Sequence, residues 1–155
     1  MLSRHERRRP KQASLRRAVS TAYYALFHLL CSEAASRMIR SSDHPELLRG
    51  SLRRAFHHGV MREVCGEATK LPQGRLRSIC CGHPGTAVLQ RIAKAFIDLQ
   101  EARHEADYDV LAKRTRIEVI QIVGQAQSAF NDWNAIRLTP LADAFLVALL
   151  TGVKR

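Results

Sequence analysis

The densest chemistry in the 155-residue chain sits in one short stretch, ARHEADYD at 102–109. Arg103 and Asp107 stand four residues apart, as do His104 and Tyr108, so on a helix each pair shares a face. Imidazole titrates near neutrality, and a guanidinium steadies developing negative charge. A His, a Tyr, an Arg and a carboxylate so placed suit acid–base work on a phosphodiester, with Arg103 on the phosphate and His104 or Tyr108 handling the proton. The same group equally suits an interface, and a His beside an Arg at a helix C-terminus also complements the helix dipole.

The elements that must position these residues read as helices throughout. Leu15, Val19, Ala22, Leu26 and Leu29 recur at steps of three and four, one apolar stripe on a first helix over about 11–38. After a break at 41–45, a second helix runs over about 46–67 through Leu48, Leu52, Phe56 and Val64, with Pro45 suited to its first turn. Pro72, Gly74, Gly82, Pro84 and Gly85 mark a loop whose length is unusual for a compact bundle, mobile or functional. Thr86 is placed to cap a third helix over 86–107, with the stripe Leu89, Ile92, Phe96 and Leu99. A fourth covers about 113–136 with Ile117, Ile120, Phe130 and Trp133 as contacts, and Thr139-Pro140 opens a fifth as N-cap and N1. The expected fold is all-α: an up-and-down bundle of four long helices plus a short C-terminal one, formed by residues 13–155 behind a basic arm at 1–12.

In that topology the first and third helices run parallel. Extending the third stripe past Leu99 reaches Arg103, and extending the first past Leu29 reaches Glu33. A desolvated guanidinium needs a partner, so a polar cluster of Glu33, Arg103 and Asp107 is expected at one end of the bundle. The alternative is that Arg103 snorkels out of the last turn.

Twenty-five Lys and Arg against 14 Asp and Glu give a net charge of +11, and 20 of the cations are Arg. Such a surface attracts polyanions, nucleic acid first among them, although an Arg-rich composition also arises without that role. Arg7, Arg8, Arg9, Arg16 and Arg17 are concentrated near the N-terminus, and Arg53 and Arg54 join His57 and His58 in a basic strip. These seven arginines are the nucleic-acid-binding candidates. The longest apolar run, 144–150, is far short of the roughly 20 residues that span a bilayer. No apolar stretch follows the basic N-terminus as a secretory signal would require, so a cytoplasmic protein without a membrane role is expected.

Cys31, Cys65, Cys80 and Cys81 then read as reduced thiols, Cys31 within the core. Cys65, Cys80, Cys81 and His83 lack the paired spacing of zinc sites, and no Gly-rich phosphate loop is present, so neither a metal nor a cofactor is expected.

The stretch LRRAVSTAYYALFHLL at 15–30, taken with ARHEADYD, resembles the HEPN superfamily. It is most similar to an uncharacterised branch with S-x-Y-Y-A-x-F-H on the first helix and R-x-x-A-D-Y ending the third. Ser20, Tyr23, Tyr24, Ala25, Phe27 and His28 fill the first motif; Arg103, Ala106, Asp107 and Tyr108 fill the second. The resemblance spans about residues 13–135. It implies a helical bundle, commonly dimeric, from a superfamily rich in RNases of toxin–antitoxin and defence systems, often acting beside a nucleotidyltransferase-type protein. The R-x4–6-H motif of the RNase members is not matched: Tyr108, Asp109 and Val110 occupy the histidine positions after Arg103. Arg53 with His58, Arg77 with His83 and Arg37 with His44 have the spacing, but in no greater number than chance gives.

Two functions follow as expectations. One is an RNA-directed protein that binds RNA, or cleaves it without metal, through Arg103, His104 and Tyr108. The other is a non-catalytic dimerisation or partner-binding module; a small-nucleotide-binding domain has only the resemblance behind it. A homodimer is expected through the apolar fifth helix, with Phe145, Leu146, Leu149 and Leu150, or through the end of the third.

Overall fold

A computed structural model describes residues 11–40, 43–80, 82–109 and 111–153. Among these the chain forms α1 (Gln12–Met38), α2 (Pro45–Arg54), α3 (His58–Thr69), a single turn α4 (Arg77–Cys80), α5 (Thr86–Tyr108), α6 (Arg116–Ile136) and α7 (Pro140–Thr151), with no strand. The long helices pack on one another, and α5 lies against α1, α3 and α6. Tyr23, Leu26 and Leu30 of α1, Met61 and Val64 of α3, Phe96 and Leu99 of α5, Trp133 of α6 and Phe145 of α7 share one buried core.

The expected second helix is two helices. The chain turns at 55–57, where His57 is extended, and Phe56 enters the core from the turn. α2 buries none of its residues, and Leu47 and Leu48 face outward. Breaking there lets Phe56 and the first turns of α3 reach a core that the line of α2 misses.

That break adds one reversal of direction, so the third predicted helix runs opposite to the first, not parallel to it. Leu15 and Val19 near the start of α1 pack on Ala102 and Ala106 near the end of α5. Arg62 of α3 meets Glu101 at 2.6 Å, and Arg91 of α5 meets Asp132 of α6 at 3.0 Å. Thus α1, α3 and α6 run one way and α5 the other.

Several local expectations change with the packing. Thr86 is the first helical residue of α5 and not its cap; its hydroxyl donates to the His83 carbonyl. The cap is Gly85, where a Cβ would lie 3.2 Å from Ile136 and 3.3 Å from Leu141, so a side chain at this corner would have to push those neighbours back by a few tenths of an ångström. Ile117 and Ile120 are 70% and 58% exposed; α6 buries Val119, Ala126, Ala129, Trp133 and Ile136 instead. Helix α7 opens on Thr139 and Pro140 as expected. It packs Phe145, Leu146 and Leu149 into its own bundle, which removes the ground for a dimer contact on that face.

The 70–85 connection is pinned by one buried carboxylate. Glu67 Oε2 accepts from the Arg75 backbone N–H at 2.9 Å, and Oε1 accepts from Lys70 Nζ at 2.8 Å and Arg75 Nη2 at 3.2 Å. Leu71 and Leu76 are buried on either side. Gly74 turns with φ +88°, and a Cβ there would lie 2.9 Å from Glu67 Oε2.

Helix α6 begins at a capping box: Thr115 Oγ1 accepts from Glu118 N at 3.2 Å, and Glu118 Oε2 accepts from Thr115 N at 3.1 Å. Thr115→Ala is expected to cost about 1 kcal/mol and roughly 2–4 °C in Tm, read by circular dichroism melting.

Candidate functional site

Arg103 continues the core-facing stripe of α5, so its stem is buried and its side chain is 21% exposed. The guanidinium reaches across to α1, with its central carbon 5.1 Å from the Tyr24 ring centre and 5.8 Å from that of Tyr23, within cation–π range. Its Nε lies 2.9 Å from Asp107 Oδ2 but out of line for a hydrogen bond, so charge holds the pair. Asp107 Oδ1 accepts from Ser20 Oγ at 3.0 Å. Among the described residues, the two terminal nitrogens of Arg103 have no hydrogen-bond partner.

The antiparallel pairing of α1 and α5 therefore joins the two motif segments directly: Ser20 to Asp107, and Tyr23 and Tyr24 to Arg103. Glu33 is not part of this cluster. It lies toward the other end of α1, in a bidentate pair with Arg137 at 3.0 Å, because α5 runs opposite to the expected direction.

His104 and Tyr108 do come together, with ring centres 4.6 Å apart, both exposed. Consecutive helical residues point apart, so Arg103 turns to α1 while His104 turns outward. A cavity of about 590 Å³ beside them is lined by Arg62, Gln100, Arg103 and His104, and also by Glu101 and Glu105.

On the α1 and α3 side of Arg103 the acidic neighbour is Asp107, and the other groups there are aromatic or basic. Tyr24 stacks on His28 with centres 5.9 Å apart. His58, the first residue of α3, stacks on Phe27 at 4.1 Å. Burial lowers the His58 pKa, and the nearby charges of Arg103, His28 and His57 lower it further. Arg53 is close enough to oppose the rise of the Cys31 pKa, which burial pushes to about 12. Arg53, His57, His28, His58 and Arg103 thus form a basic strip beside α1.

The other arginine candidates do not all join it. Arg54 is exposed at the end of α2, its Nη2 donating to Ser51 Oγ. Arg16 Nη2 donates to the Ala112 carbonyl, and Arg17 is exposed at a groove between α1 and α6. These two lie roughly 20 Å from the Arg53 end, given 1.5 Å of rise per helical residue. Arg7, Arg8 and Arg9 lie outside the described residues. Cys31 and Cys65 are buried in the core, and among the described residues no His, Cys, Asp and Glu group is arranged to hold a metal ion. Among the same residues no helix is long and apolar enough to cross a membrane.

The sequence places His58 only beside Arg53, Arg54 and His57; the fold sets it against Tyr23 and near the charge of Arg103. Its helix begins after an unforeseen break, and its neighbours come from α1 and α5. Comparison with family models, curated proteins and solved structures returned no match to this chain.

Proposed function

We propose that this chain is an HEPN-like RNA-binding protein that grips the RNA backbone at the Arg103 cluster. The observation that carries the reading is the Arg103 guanidinium itself: held by Asp107 and two tyrosines, with its terminal nitrogens unpartnered among the described residues, it opens a basic strip. Phosphate oxygens suit a planar guanidinium fork, and the exposed His28 and half-buried Tyr24 offer faces on which bases stack. Binding, not cleavage, is the activity proposed. The cavity that Arg103 shares with His104 also carries Glu101 and Glu105, an acidic lining that does not suit a second phosphate contact.

The test is fluorescence anisotropy of a labelled single-stranded RNA over a salt series. Binding should weaken steeply, with log K falling by about 0.7 per phosphate for each decade of salt. Absence of binding at low salt overturns the reading.

A second reading, a homodimer, is favoured by the groove between α1 and α6. It has a volume of about 730 Å³, its walls include Ala18, Ala22, Ala25, Val123, Ala126 and Phe130, and Ile117 and Ile120 are exposed on the same helix α6. Light scattering should give twice the 17.5 kDa chain mass at micromolar concentration, and Ala25→Arg should return it to the monomer. A monomeric wild-type protein removes this second reading and leaves the first intact.

A further inference from the structure

His58 Nδ1 lies 2.5 Å from the Tyr23 hydroxyl, and one of the two must donate. Tyr23 is fully buried, and burial raises its pKa above the ordinary tyrosine value, so it keeps its proton. The groups facing His58 do not favour an imidazolium. They are Arg103 from α5, His28, Tyr23 and Tyr24 from α1, and His57 before it in the chain. Among the described residues no carboxylate pairs with His58. The neutral ring that results has a single N–H. The Tyr23 hydroxyl has its own proton to give to Nδ1, and in that arrangement the ring N–H is on Nε2, the edge turned away from Tyr23. No described residue accepts a hydrogen bond from it.

Two further features surround this donor. Helix α3 begins at His58, and no side chain caps its first-turn amides, so the positive end of a 12-residue helix lies at the same place. Gly59 adds no bulk there, and a Cβ at that position would meet nothing within 4 Å.

We propose that the Nε2–H of neutral His58 is the second phosphate donor of this site, working with the terminal nitrogens of Arg103 on one backbone phosphate of an RNA. This rests on the RNA-binding reading. It gives Tyr23 a positioning role: its hydroxyl fixes the tautomer that turns the N–H outward. His58 then contributes a dipole and not a charge, so the contact is complete at neutral pH and needs no acidification. The Gln100 side chain stands beside the Tyr23 hydroxyl and is itself held by Arg62 at 3.2 Å, which extends the positioning chain to α3.

The test begins with the tautomer in the wild-type protein, read at pH 7 from a long-range ¹H–¹⁵N spectrum of the histidines. The expected pattern for His58 is a protonated Nε2 and an unprotonated Nδ1; a protonated Nδ1 overturns the proposal. Two variants then separate donor from ring. His58→Gln sets an amide N–H where Nε2 lies, whereas His58→Asn sets its amide near Nδ1 and leaves the outward position empty. With single-stranded RNA, His58→Asn should bind about 10–100-fold more weakly, the range for a hydrogen bond to a charged group, and His58→Gln within about threefold of wild type. Equal affinities for both variants, whether weakened or not, overturn the donor role while the RNA reading stands. If the wild type binds no RNA, that reading falls, and the donor is tested by titrating inorganic phosphate against the His58 Nε2 resonance. A shift there retains the donor; an unmoved resonance overturns it.

Discussion

Glu67→Ala is expected to cost about 2–4 kcal/mol and roughly 5–15 °C in Tm. The side chain is only 6% exposed, and it holds three donors that shape the 70–85 connection. Without it the Arg75 N–H loses its acceptor beside the tight turn at Gly74, while Lys70 and Arg75 are exposed enough to return to water. The same group sets an acid limit. The Arg75 backbone bond first, then the Lys70 bond, hold the Glu67 pKa at about 2, against an ordinary 4.5. A carboxylate depressed in the folded state stabilises fully above its unfolded pKa, and that stability is lost as pH falls toward the folded value. Melting temperature measured from pH 7 to 2 should therefore drop between about 4.5 and 2, and Glu67→Gln should remove this component of the drop. An unchanged acid limb in Glu67→Gln would show that the carboxylate does not anchor the connection.

Arg103→Ala is expected to weaken RNA binding by about 10–100-fold, the cost of losing a charge-assisted contact to phosphate. The salt slope should fall by about 0.7, as for removal of one phosphate contact on a single strand. Arg103→Lys restores a charge but not the planar fork between Tyr23 and Tyr24, so it should recover only part of the affinity. Because Arg103 also packs against both rings, far-UV circular dichroism and melting must accompany the titration. A folded Arg103→Ala protein with wild-type affinity would remove Arg103 from the site.

Local relations were legible in the sequence, and long-range ones were not. The Arg103–Asp107 pair follows from a four-residue helical spacing, and Thr139-Pro140 marks the start of α7 through cap chemistry alone. Thr115 and Glu118 carry the capping-box signal that sets the start of α6 at 116, three residues later than apolar periodicity places it. The break between α2 and α3 has no comparable signal. Leu48, Leu52 and Phe56 keep their spacing whether the helix continues or turns, and only the packed core selects the turn. That one reversal decides the direction of α5, which is why Glu33 meets Arg137 and not Arg103. The segments around Tyr23 and Arg103 lie 80 residues apart in the chain, and only the fold brings them into contact. His58 stands 35 residues from Tyr23, a separation with no periodic signature, and its Arg–His spacing points to Arg53 when the neighbouring guanidinium is that of Arg103.

The most direct test of RNA binding at this site is a titration of isotope-labelled protein with a short single-stranded RNA, following side-chain resonances. The largest shifts are expected at Arg103 Nε–H, the rings of Tyr24 and His28, and His58 Nε2. Little change is expected at Glu33 and Arg137, which lie at the far end of α1. Shifts centred on Arg137, or on His104 and Tyr108 with Arg103 unmoved, would contradict the account.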